Sequence, residues 1–144
     1  MGVTLNELKI ELEEFGFDHY MIGSVLYTTP EKVDTTNTNG VVMWFYNNGV
    51  TVQGTSREVK MQVVFMDVLN KNMDNEKDAL SDCDKIMDDF IAVMDYEQYI
   101  HGFQFERSAE MSNFVHEHGS DYVGISAEFS FMLPETYDYC EIPQ

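Results

Sequence analysis

Residues 122–133 read YVGISAEFSFML. Val123, Ile125, Ala127, Phe129, Phe131 and Leu133 fall on one side of an extended chain, and Tyr122, Gly124, Ser126, Glu128 and Ser130 on the other. This alternation with period two, apolar against mostly polar, predicts a half-buried antiparallel strand, and Pro134 should end it. The inner face of such a strand needs partners, and the chain before it supplies them.

Working back, residues 109–118, AEMSNFVHEH, are mixed but can form a strand, with Gly119-Ser120-Asp121 as the turn. Residues 101–108 predict a short strand or connector. A longer strand is expected from about Glu58 to Val68, with Val59, Met61, Val63 and Phe65 on one face. Its other face starts polar at Lys60 and Gln62 and turns apolar at Val64 and Met66. VVMWFY (41–46) is β-branched and aromatic without alternation, which suits a strand covered on both faces. NNG (47–49) reads as a hairpin turn from which VTV returns, and QGTSRE as a second loop. HYMIGSVLY (19–27) predicts a strand or extended segment. TTPEKVDTTNTN (28–39) has little that can be buried and is expected to be a mobile loop. Residues 134–144 form a short acidic-aromatic tail.

Two segments carry helical spacing instead. Thr4-x-x-Glu7 is a capping-box pattern, with Val3 and Leu8 placed for a hydrophobic staple. Leu5, Leu8, Leu12 and Phe15 then form one stripe, and Gly16 is expected to stop the helix, giving a span of about 4–16. The second segment, about 76–95, puts Ala79, Leu80, Cys83, Ile86, Met87, Phe90, Ile91 and Met94 on one stripe. Asp74 and Asn75 can cap its start, where Glu76 and Asp78 also suit the dipole. Strands grouped around two helices give an α+β fold, a single domain over 1–144 with a mostly antiparallel sheet flanked by both helices.

The chain has 144 residues, 26 acids and 8 bases, for a net charge of −18. A surface of that sign repels nucleic acid and anionic membranes over a Debye length of ~10 Å. The eight bases are scattered singly, and none follows Arg107. No apolar run is long enough to span a bilayer, and MGVTLNEL turns polar too early for a secretory signal. Two cysteines, Cys83 and Cys140, make no disulfide framework, which fits synthesis in a reducing cytosol.

The acids concentrate in DNEKDALSDCDKIMDD (74–89). A calcium loop would require a glycine at its sixth position, and none lies between Gly54 and Gly102. The acids are better read as the polar side of the second helix, with Asp78, Asp82, Asp84, Asp88 and Asp89 off its apolar stripe. Asp84, Asp88 and Asp89 crowd one sign late in the helix, where the dipole does not favour it. His116 and His118, two apart on a predicted strand, share a face and could chelate zinc if further ligands came from elsewhere. Two ordinary strand-end histidines explain the same pattern. Cys83 belongs to a core stripe, Cys140 has no basic neighbour, and the phosphate-loop, dinucleotide and G-x-S-x-G signatures are absent. The expectation is a protein without catalytic residues, resident metal or cofactor.

Three stretches together carry a family resemblance: the helix-first TLNELKIELEEFGF (4–17), VVFMDVLNKNMDNEKDALSDCDKIMDDFIAVM (63–94), and YVGISAEFSFMLPETYDYCEIP (122–143). This layout resembles the tail-terminator and tail-completion proteins of tailed bacteriophages. The resemblance implies an antiparallel sheet flanked by helices and assembly into a ring, six-fold or twelve-fold. The ring caps the tail at the head-tail junction of the virion, contacts other tail, neck or portal proteins, and lets DNA pass without gripping it. It also implies synthesis in the cytoplasm of a bacterial host. In that setting the acidic helix face would line either the lumen or the outer solvent. Charge alone also fits a second class, a monomeric acidic protein that mimics DNA and inhibits a basic host protein.

Overall fold

The computed structural model describes residues 4–30, 40–54, 56–68, 76–106, 110–115 and 122–134. The element order is α1 (Leu5–Asp18), β1 (Ile22–Tyr27), β2 (Val41–Gln53), β3 (Ser56–Val68), α2 (Glu76–His101), β4 (Gln104–Phe105), β5 (Met111–Val115) and β6 (Tyr122–Pro134). The six strands form one sheet in the order β1-β2-β3-β6-β4, with β5 also paired to β6. Only β1 and β2 run parallel, and every other pair is antiparallel. The class is α+β, a single domain with a mostly antiparallel sheet.

The alternation in β6 sets the layers. Its ladder with β3 runs without a bulge from Ser56↔Pro134 to Val68↔Tyr122. Met61 stands opposite Phe129, Val63 opposite Ala127 and Phe65 opposite Ile125, so two apolar faces are in phase. Val41, Met43 and Phe45 of β2 continue that face, and both helices cover it. Eight of the chain's ten phenylalanines lie in this layer: Phe15, Phe45, Phe65, Phe90, Phe103, Phe105, Phe129 and Phe131. Phe90 of α2 is at the centre, with ring centroids 5.3 Å from Phe15, 6.0 Å from Phe65, 6.4 Å from Phe105 and 5.3 Å from Phe129. Tilted and edge-on contacts of this kind add to the apolar burial.

The opposite face is divided. Val42, Trp44, Val64, Met66 and Tyr122 make a second buried cluster at one end. Trp44 Nε1–H donates to the Thr28 carbonyl at 2.9 Å, satisfying the one polar group of that side chain. VVMWF is thus buried on both faces, as the lack of alternation predicted. Toward the other end the same face turns polar: Gln62 donates to Ser126, and Asn48 donates to Glu128 at 2.6 Å.

Three boundaries differ from those expected from the sequence. NNG does not reverse the chain. Strand β2 continues through it, with the register shifting between Asn47 and Gly49. Asn47 Oδ1 accepts the Gly49 N–H at 2.9 Å, and Gly49 has φ 147°. The turn chemistry is real but absorbs one extra residue as a bulge. The hairpin closes instead after Gln53↔Ser56, where Gly54 adopts φ 59°. Gly16 does not stop α1 either. It lies inside the helix, facing the sheet, where a Cβ would sit 2.5 Å from Val25 Cγ2 and 2.8 Å from Met43 Sδ. The helix ends two residues later, with His19 as an extended C-cap. Finally, α2 runs to His101, past the expected end near residue 95.

The N-terminal prediction is met by geometry: Thr4 Oγ1 accepts the Glu7 N–H at 3.1 Å. Val3, most of the 28–39 loop, the turn at 119–121 and the tail after Pro134 lie outside the described residues.

Candidate functional site

Helix α2 buries Ala79, Cys83, Ile86, Met87, Phe90, Ile91 and Met94, the stripe expected from spacing, with Leu80 half-buried at its margin. Burial pushes the Cys83 thiol up to about 12, with Asp67 and Asp82 nearby adding to the effect. A thiol so held stays protonated at neutral pH and is a core group, not a nucleophile.

The five carboxylates of the polar side do not share one environment. Asp78, Asp84 and Asp88 are exposed, and Asp82 and Asp89 are half-buried. Asp84 lines a shallow hollow with Lys77, Leu80 and Ser81 of α2, against Asn113 of β5 and Ile125 of β6. Asp89 turns the other way, toward α1. Its Oδ2 lies 2.9 Å from Nε2 of His19. The Met21 N–H donates to Nδ1 of the same ring at 3.2 Å, which places the ring proton on Nε2, facing Asp89. The His19 side chain is 8% exposed and stacks on Tyr20 at 5.2 Å. Both ring nitrogens are engaged, so the pair braces the end of α1 against α2. It offers no lone pair for general-base chemistry. Nothing in the sequence paired residues 19 and 89, because helix packing sets their proximity.

Beside this brace the two helices leave a groove of about 260 Å³. Glu11, Glu14 and Asp18 form its α1 wall, Val93 and Glu97 its α2 wall, and Phe15 and Met94 face it from the core. The sequence alone does not gather these residues. The available signal was the i, i+3, i+7 spacing of Glu11, Glu14 and Asp18 on one side of α1.

Among the described residues no group of three or more His, Cys, Asp or Glu is arranged to hold a metal ion. His116, His118 and Cys140 lie outside the described residues. Among the described residues no helix is long and apolar enough to cross a membrane. No known protein-family model matches this chain, and no curated protein matches it at a significant level.

Proposed function

We propose that this protein is a bacteriophage virion structural subunit, a tail terminator or neck ring component that self-assembles into a ring joining tail to head. The observation that carries the reading is architectural. The sheet is mostly antiparallel, the chain opens on a helix, and two helices pack on the sheet; an antiparallel sheet flanked by helices is what the tail-terminator resemblance implies.

Two surface features support the reading. The sheet has edge strands at opposite ends, β1 on one side and the β4 and β5 row on the other. Different edges on opposite sides suit a heterologous, head-to-tail contact, which closes into a ring when the rotation per subunit divides a full turn. The β2–β3 hairpin also leaves Val50 and Val52 exposed near its tip, Val52 by 73%. Exposed apolar side chains at the end of a hairpin are apt contacts for a neighbouring copy.

Charge fits the passage of DNA. Carboxylates facing a lumen repel the phosphate backbone, whereas Lys and Arg would hold it by releasing counterions. Asp78, Asp84 and Asp88, the exposed acids of α2, are the residues for that lumen or for the outer solvent. The ring is six-fold, with twelve-fold the alternative, and its partners are other tail, neck or portal proteins at the head-tail junction.

Native mass spectrometry at micromolar concentration tests this. A closed six-fold ring of 16.7 kDa chains has a mass of ~100 kDa. A monomer that joins rings only when tail or neck proteins are added also supports the proposal. A stable monomer that binds a basic host enzyme and never enters virions would overturn it in favour of a DNA-mimic inhibitor.

A further inference from the structure

We infer that the groove between α1 and α2 is a docking site for a basic amphipathic helix of another protein. The inference goes beyond the ring reading and does not depend on it, because a monomer would carry the same groove.

The apolar evidence is local. Nine large apolar side chains are exposed among the described residues, and Ile10, Phe17, Tyr20, Val93 and Tyr96 are five of them. All five belong to the two groove-forming helices or to the turn that caps α1. Ile10 and Phe17 are seven residues apart, on the flank of α1 just outside Glu14. Val93 and Tyr96 are three apart on α2, with Val93 itself in the groove wall. Of the five, Val93 lines the groove itself, whose base is Phe15 and Met94. The hollow, about 260 Å³, is below the ~300–1,000 Å³ usual for small-molecule pockets. It suits one row of side chains from a helix laid along it.

Charge selects the occupant. Glu11, Glu14, Asp18 and Glu97 line the groove together with His19, whose ring faces Asp89. From Glu11 to Asp18 is two turns of α1, ~10 Å along the axis. A partner helix with Lys or Arg at i, i+3 and i+7 repeats that spacing, and a large apolar residue between them meets Phe15 and Met94. Neither described helix of a second copy carries bases at that spacing. Its bases are Lys9, Lys32, Arg57, Lys60, Lys71, Lys77, Lys85 and Arg107. Helix α1 holds only Lys9, and α2 only Lys77 and Lys85, eight apart. The occupant is therefore another protein.

The test uses the whole chain and a fluorescent synthetic 16-residue peptide with Leu and Lys in amphipathic helical phase. The control peptide has the same composition scrambled out of phase. Anisotropy at ~150 mM salt, where surface charge is screened beyond ~8 Å, should show the phased peptide binding about tenfold or more tighter. The double variant E14K/D18K should lose about tenfold or more of that affinity. The double variant E106K/E110K makes the same charge change at two exposed positions away from the groove. It should lose less than about threefold. Circular dichroism establishes that both variants are folded. Equal binding of the two peptides, or equal loss in the two variants, would reduce the effect to general attraction and overturn the inference. So would self-association through the groove, seen as light scattering that E14K/D18K abolishes without peptide.

Discussion

The two faces of the sheet solve the same problem differently. The face under the helices is apolar along the length of β3 and β6, packed with phenylalanine and sealed by α1 and α2. The opposite face is apolar only at the end built around Trp44 and Met66, and is hydrogen-bonded at the other, where Gln62 meets Ser126. The first face holds its elements together by area and shape, so single truncations there should be felt across the domain. The second combines a small cluster with part-buried and exposed polar pairs, so changes at its polar end should stay local.

The sharpest break of this contrast is Phe90→Ala. Phe90 is fully buried and packs on rings from α1, β3, β4 and β6, so its loss opens a cavity among four elements. Denaturant unfolding should show a loss of about 3–5 kcal/mol. A loss below ~1 kcal/mol would mean that the helical layer is not the main core.

Gly16→Ala sets two effects against each other. Alanine favours a helix interior by about 1 kcal/mol over glycine. Here the new methyl would press on Val25 and Met43 at 2.5 and 2.8 Å. Crowding of this kind costs about 1–3 kcal/mol, so net destabilisation is expected despite the better propensity. A rise in midpoint on chemical denaturation would show that α1 can lift away from β1 without cost.

On the polar end of the second face, Gln62→Ala should cost no more than about 1 kcal/mol. It removes one hydrogen bond to a half-buried serine that can turn to water. If it costs as much as Phe90→Ala, the two faces are not as different as their packing indicates.

The smallest effect on stability, and the cleanest reading of burial, comes from Cys83. Its thiol is held at about 12 against an ordinary value of 9.0. Native protein at pH 8 should react with a thiol reagent far more slowly than unfolded protein. The sign for stability follows from the raised value. Below pH 9 both states keep the proton and the contribution is intact. Between pH 9 and 12 the unfolded thiol ionises first, so stability falls as pH rises. Rapid labelling at pH 8 without unfolding would contradict the buried placement.

The elements differ in how far they were legible. The α2 stripe from Ala79 to Met94 and the β6 alternation could be read directly, because each has one period and one buried side. The capping of α1 by Thr4 was legible for the same reason, since it involves residues three apart. Asn47 and Gly49 misled because an Asn side chain bonded two residues ahead looks alike in a hairpin and in a bulge. The pairing of β2 with β3 decides which it is. Gly16 misled because a glycine near a helix end and a glycine under a packing contact share one letter. Of the groove, the acidic residues were visible but not their gathering, since Glu97 and Val93 reach Glu14 and Asp18 only through the docking of α2 beside α1.

The sequence by itself determined the layers. The period of its apolar residues separated helices from strands, and the phase of each chose the side to bury, because burial is settled within one element. The tertiary structure alone decided which elements became neighbours: the parallel pairing of β1 with β2, the closeness of Gly16 to Val25, the His19–Asp89 brace, and the acidic groove beside it. Those contacts join residues distant in the chain, and shape and charge fix them only once both surfaces are in place.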